Sequence, residues 1–218
     1  QRLELNHLRN QICEWLSRAY QRHWIGLFDG NISYRDASQS HFFISPTGVR
    51  KDFLYLDEVL RVHMPTQCVA VTQACEQIQA RYVGQRLRPS GELPFHYGLL
   101  EKINTNQRFV VHVHATHIVA ATYLNWPLHE LGTEFGEMTL TRVGHTVPLL
   151  PAQSDILGEA VVQAFGLDST GAPSVDVVAI RNHGVVSVGS TCEEAWAHIE
   201  RLNHVCEVKL LASAAAGQ

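Results

Sequence analysis

The stretch Phe109-Val110-Val111-His112-Val113-His114-Ala115-Thr116-His117 decides how the rest of the chain is read. It opens with aromatic and β-branched residues that favour a strand, and a helix-like segment follows at once. On an extended strand, residues two apart share a face, so the imidazoles of His112 and His114 can converge on one point. Two neutral imidazoles on one face are the first half of a metal site. The pair is weak by itself. Thirteen histidines in 218 residues give about one His-x-His by chance, so partners must be sought elsewhere.

A length of 218 residues fits one large domain or two small ones, with enough chain to bury a sizeable core. Hydrophobic residues at 45% and charged residues at 17% describe an ordinary globular protein. A net charge of −4 with no long basic run argues against nucleic acid or an anionic membrane as a partner. Cys13, Cys68, Cys75, Cys192 and Cys206 show no C-x-x-C spacing. That argues against a disulfide framework or a thiolate zinc site, and points to a reducing, cytoplasmic setting. The start has no signal-peptide profile, and no apolar run reaches the ~18 residues of a membrane-spanning helix.

Leu5, Leu8, Ile12, Trp15, Leu16 and Ala19 recur at helical spacing, which predicts an amphipathic helix over 3–23. Asn31–Arg35 and His41–Ser45 read as a hairpin, and Ser45-Pro46-Thr47-Gly48 as a turn. Residues 52–72 suggest a short helix and then a strand. Helices are expected over 92–102 and 115–124, with a strand over 108–113 between them. Met138–Thr141 and Thr146–Leu150 suggest strands, and Ser154 should cap a helix over 155–165. Val175–Ile180 reads as a buried strand and Asn182-His183-Gly184 as a turn, with a second strand over Val185–Val188. The last helix should run from about Thr191 to Ala212, opened by a capping box (Thr191, Glu194), before a frayed tail. With no linker and no repeat, one α/β domain over 1–218 is the economical organisation.

His183 is the natural third imidazole, because it follows a buried strand and precedes Gly184 at a sheet edge. Three imidazoles leave a divalent ion an open position for substrate or water. Glu92 begins a helix upstream of the histidine strand, and could complete the coordination or act as a base. His96 stands one turn after Glu92, either facing the pocket or hydrogen-bonded in the core. His117 competes weakly as a ligand, and His145 reads as a turn residue. Arg86 and Arg88 could hold an anion or simply be solvated.

Taken together, Gly30-Asn31-Ile32-Ser33, Pro46-Thr47-Gly48, Pro89-Ser90-Gly91-Glu92 with His96, His112-Val113-His114 and Asn182-His183-Gly184 resemble the class II aldolase/adducin family, in the order seen there. The resemblance spans about residues 5–212, and its glutamate and histidine segments look most like the rhamnulose-phosphate branch. It implies a central, mostly antiparallel sheet flanked by helices, assembled as a homotetramer with sites between subunits. It implies Zn2+ or another divalent metal on His112, His114 and His183, with Glu92 as acid/base and an additional metal ligand when required. Glu137, with Glu134 as rival, matches the acid that a neighbouring subunit often contributes. Asn31, Thr47, Gly48 and Ser90 match the phosphate pocket. Gly91 departs from the pattern, since serine is usual there, and one hydroxyl donor is missing.

The activity implied is a metal-dependent lyase: reversible cleavage of a small ketose phosphate, through a metal-stabilised enediolate, to a dihydroxyacetone-phosphate-like fragment and an aldehyde. An epimerase, a decarboxylase or a dehydratase would use the same metal site. A non-catalytic adducin-like interaction module is the alternative of another class. Such modules lose metal ligands, whereas this chain keeps three histidines and the glutamate.

Overall fold

A computed structural model describes residues 2–36, 38–65 and 70–217. Among them are strands β1 (Asn31–Arg35), β2 (His41–Ile44), β3 (Leu60–His63), β4 (Phe109–Val113), β5 (Val177–Ile180) and β6 (Gly184–Gly189). They form one sheet in the order β3-β2-β1-β4-β6-β5, and every neighbouring pair is antiparallel. The helices are α1 (Arg2–Gln21), α2 (Val71–Arg81), α3 (Leu93–Lys102), α4 (Thr116–Tyr123), α5 (Asp155–Ala164) and α6 (Cys192–Ala216). This is the α/β architecture expected from the resemblance.

Strand β4 organises the layers because its alternate residues face two cores. Phe109, Val111 and Val113 pack with Ile12 and Leu16 of α1, Ile118 of α4, and Trp196 and Ile199 of α6. Val110 packs on the opposite face with Ile78 of α2, Leu99 of α3 and Val161 of α5. Each fully buried aliphatic side chain contributes roughly 1.5–3 kcal/mol of transfer free energy. Trp196 ties α6 to the start of the chain, with ring centroids 4.8 Å from Trp24 and 4.9 Å from Trp15. Asn203 of α6 reaches across to cap α4: its Oδ1 accepts from the N–H groups of His117 at 3.1 Å and Ile118 at 3.3 Å. Ala115 at the N-cap of α4 has no oxygen to do this, so a neighbouring helix supplies it.

Local signals fixed several ends. Ser154 Oγ accepts from Leu157 N at 3.1 Å, and Thr191 Oγ1 accepts from Glu194 N at 3.0 Å. The Glu194 carboxylate returns to Ser190 N at 2.6 Å, one residue before the position a capping box uses. Gly48, at φ +69, makes the turn after Thr47. That turn is stapled to the Ser90 loop, since Thr47 N donates to Arg88 O at 2.9 Å and Ser90 N to Ser45 O at 3.2 Å.

Other expectations are corrected. Met138–Thr141 is no strand; the 3-10 turn Gly136–Leu140 covers most of it. Thr146–Leu150 contributes only an isolated parallel bridge, Val147 to Ile180, beside one from Val143 to Val177. The residues there have strand propensity, but only Val147 of the second segment, and Val143 beyond the first, bridge to β5. Within 52–72, the helix shrinks to the 3-10 turn Leu56–Glu58 and the strand is Leu60–His63. Helix α2 was not foreseen, although Ala74, Cys75 and Ile78 are its buried stripe. The C-terminal tail continues α6 to Ala216 where fraying was expected. Cys13, Cys75, Cys192 and Cys206 are free and buried, and Cys68 lies outside the described residues. No helix among the described residues is long and apolar enough to cross a membrane.

Candidate metal centre and substrate cleft

The β4 register sets His112 between Asn31 of β1 and Val186 of β6. His112 is 1% exposed, and its Nδ1 donates to the Val185 carbonyl at 3.0 Å. That bond fixes the tautomer and leaves the Nε2 lone pair facing the sheet end. His114 follows just past the strand, its N–H held by Trp24 O at 2.8 Å. His183 arrives from the connection between β5 and β6, where Asn182 takes φ +53 and donates its N–H to Thr122 Oγ1 at 3.0 Å. Ring nitrogens of His112, His114 and His183 all lie within 4.8 Å of one another. Gly184 makes this convergence possible. A Cβ there would stand 2.8 Å from His114 Cδ2 and 2.6 Å from Val113 O.

Glu92 precedes α3 at its N-cap and is 6% exposed. Its Oε1 lies 3.5 Å from His183 Nε2 and its Oε2 lies 2.9 Å from His112 Nε2. Oε2 is buried with no hydrogen-bond partner assigned to it. Carboxylate and imidazole form a tightly coupled buried pair. Burial pushes the Glu92 carboxyl up, but the adjacent imidazole of His112, with smaller contributions from His183 and His96, outweighs it and holds the group down to about 2. Burial pushes His112 down, yet Glu92 raises it overall. His114, depressed to about 3, and His183, also lowered, are kept neutral first by burial and then by the neighbouring imidazoles. Two neutral imidazoles, and a third beside an ionised carboxylate, make a donor set that a divalent cation fits.

A cleft of about 230 Å³ opens onto this centre, and Asn31, Thr47, Ser90, Gly91, Glu92, His112, His114 and His183 all line it. Gly48 is beside it in the turn. His96 is fully buried and turns away from the cleft. Its Nε2–H donates to Asn31 Oδ1 at 2.5 Å, and Ser33 Oγ donates to its Nδ1 at 2.6 Å. Burial first, then His112, depresses its pKa to about 3, which keeps it neutral. With Asn31 Oδ1 committed to His96, the Asn31 amide donors remain for the cleft. Ser90 Oγ accepts from Glu92 N at 3.2 Å and so orders the turn that carries the carboxylate.

The remaining candidates sit elsewhere. Glu137 is exposed in the Gly136–Leu140 turn, and Glu134 pairs with Lys209 at 2.7 Å; neither lines the cleft of its own chain. His117 belongs to α4 and faces Asn203, Nδ1 to Nδ2 3.3 Å. His145 stacks on His129 with centroids 4.0 Å apart, and Arg86 pairs with Glu58 at 3.2 Å.

Three polar cleft residues carry no sequence signal: Asp29, Lys51 and Gln153. Lys51 is 1% exposed, and its Nζ donates to Val49 O at 2.6 Å. Burial lowers it to about 8, against the charges of Asp29 and Glu58. A lysine just past a turn reads as solvated, and only the tertiary packing of the loop buries it.

A sheet end that delivers three imidazoles, facing a buried carboxylate from the start of α3 across one small cleft, defines a domain able to hold a divalent ion beside a small ligand. Residues 10–210 match the family described as Class II Aldolase and Adducin N-terminal domain, and the chain belongs to it. It is 25% identical over 201 residues to an L-fuculose phosphate aldolase of Methanococcus maripaludis, covering 92% of this chain and 93% of that one. It is also 26% identical over 199 residues to human beta-adducin, covering 89% of this chain but 24% of the adducin. The chain thus spans about a quarter of the length of the beta-adducins it matches. Its fold resembles the crystal structure of a sugar-phosphate aldolase from Thermotoga maritima, with TM-score 0.74 and 18% identity over 97% of this chain and 98% of that one.

Proposed function

We propose that this protein is a zinc-dependent aldolase that reversibly cleaves a C–C bond in a small ketose phosphate, releasing an aldehyde and a dihydroxyacetone-phosphate-like fragment. The observation that carries this reading is the Glu92 oxygen left without a hydrogen bond beside three convergent imidazoles. His112, His114 and His183 would hold the ion, which would supply Lewis acidity to the ketone and neighbouring hydroxyl oxygens at the breaking bond.

The other roles fall to the chain. In cleavage, the hydroxyl beside the scissile bond gives its proton to the acid at that oxygen, Glu137 of a neighbouring subunit, and becomes the aldehyde oxygen, while the bonding pair stays on the ketone-side carbon. Glu92, against the ligand histidines, takes that carbon's proton in synthesis and, once protonated, returns it in cleavage. Asn31, Thr47, Gly48 and Ser90 surround the anionic end of the substrate, and the Gly91 backbone offers a further N–H. Lys51 supplies that end of the cleft with a cation. Glu137 serves the neighbouring subunit of a homotetramer, at the aldehyde oxygen, with Glu134 as the alternative; its exposure suits that role.

An epimerase, decarboxylase or dehydratase would need the same centre. The adducin similarity supports a second reading, a non-catalytic interaction module, but retention of all three imidazoles and Glu92 favours chemistry. Metal analysis with a retro-aldol assay over sugar 1-phosphates and related hydroxy-keto acids tests the proposal. About one divalent ion per chain and cleavage of one substrate are expected. Metal-free protein that added zinc does not activate, with every substrate intact, would overturn it.

A further inference from the structure

The glycine before Glu92 looks in the sequence like a lost hydroxyl, but the space is filled. A Cβ on residue 91 would lie 2.4 Å from Gln153 Cδ, 2.5 Å from Oε1 and 2.8 Å from Nε2. The Gln153 carboxamide therefore occupies the volume that any side chain at 91 would need. It comes from the segment preceding α5, where Gln153 holds the left-handed φ of +63. Gln153 also lines the cleft together with Glu92 and the three histidines. Its neighbour Ser154 is committed to the α5 cap, whereas the Gln153 amide makes no hydrogen bond to any described residue. An amide N–H2 has two hydrogens to donate, one more than a serine hydroxyl.

We propose that Gln153 determines substrate specificity: its amide donates to the substrate's anionic group in place of a hydroxyl on residue 91. The ligand is an oxyanion, either a phosphate ester or a carboxylate. This deepens the aldolase reading and rests on it for the nature of the substrate.

The test is calorimetric binding of inorganic phosphate and, separately, acetate to metal-loaded protein. It compares wild type, Gln153→Ala, Gly91→Ser and the double variant, with melting temperature and metal content confirming intact folds. Gln153→Ala should weaken binding about tenfold, the scale of one hydrogen bond to a charged group. Gly91→Ser should also weaken it, because the new Cβ displaces the carboxamide. The double variant, with a hydroxyl and no carboxamide in its way, should return to within about threefold of wild type. A dependence seen with phosphate assigns a phosphate ester, and one seen with acetate assigns a carboxylate. Unchanged binding in Gln153→Ala, or a double variant no better than Gln153→Ala, overturns the inference alone. Wild type that binds neither anion overturns it together with the phosphate part of the aldolase reading. Gln153-dependent binding without cleavage of any substrate leaves the inference standing and removes the aldolase.

Discussion

Glu92 Oε2 and His112 Nε2 stand 2.9 Å apart, and His112 is turned to that position by its Nδ1 bond to Val185 O at 3.0 Å. A hydrogen bond that fixes one ring nitrogen commits the other to whatever lies beside the carboxylate. Glu92→Gln keeps the shape and removes the proton carrier. Metal content should stay near wild type while turnover falls on the order of 10²–10⁴. Steady-state kinetics beside elemental analysis read both, and unchanged turnover would remove Glu92 from the base role.

His114 and His117 are one helical turn apart in sequence but serve different parts of the molecule. His114 shares the imidazole cluster, whereas His117 faces Asn203 on α6. His114→Ala should therefore lose most bound metal after dialysis against a weak chelator, and His117→Ala should keep it. Equal loss from both would contradict the assignment of ligands.

Lys51→Met preserves the aliphatic stem while removing the cation from the cleft. The KM for an anionic substrate should rise roughly 10- to 100-fold, with kcat changed less, because one charge-assisted contact is lost in ground and transition state alike. An uncharged analogue should be affected little. A similar loss for both substrates would make Lys51 a structural residue of the loop.

Much of this was legible in the residues. The aromatic and β-branched run Phe109–Val113 predicts a strand, and period-two spacing puts His112 and His114 together before any fold is known. Ser154 and Thr191 mark helix starts because a cap is a local, side-chain-to-backbone signal. What failed was long-range. Met138–Thr141 carries strand propensity but lies away from the ladder, and propensity yields to packing there. Lys51 and Gln153 enter the cleft only because the loops that carry them fold over it. The Asn203 cap on α4 joins residues more than eighty positions apart, a relation no window of sequence contains.

Asp176 holds the connection ahead of α5 against the edge strand of the sheet. Its Oδ2 accepts from Arg142 N at 2.8 Å and Nε at 3.2 Å, and its Oδ1 accepts from Nη2 at 2.8 Å. Burial pushes the carboxyl up, but the Arg142 hydrogen bonds and the charges of His198 and Arg142 outweigh it and leave the pKa below the usual 3.8. Because the folded value is depressed, the stabilisation is complete above the unfolded pKa and is lost as pH falls through the folded one. Asp176→Asn should cost about 1–2 kcal/mol at neutral pH, a figure kept modest by the exposure of Arg142. Urea melts of both proteins from pH 7 down to about 3 should show the two midpoints converging at the acid end. A gap that stays constant across that range would mean that the carboxylate charge contributes nothing to the hold.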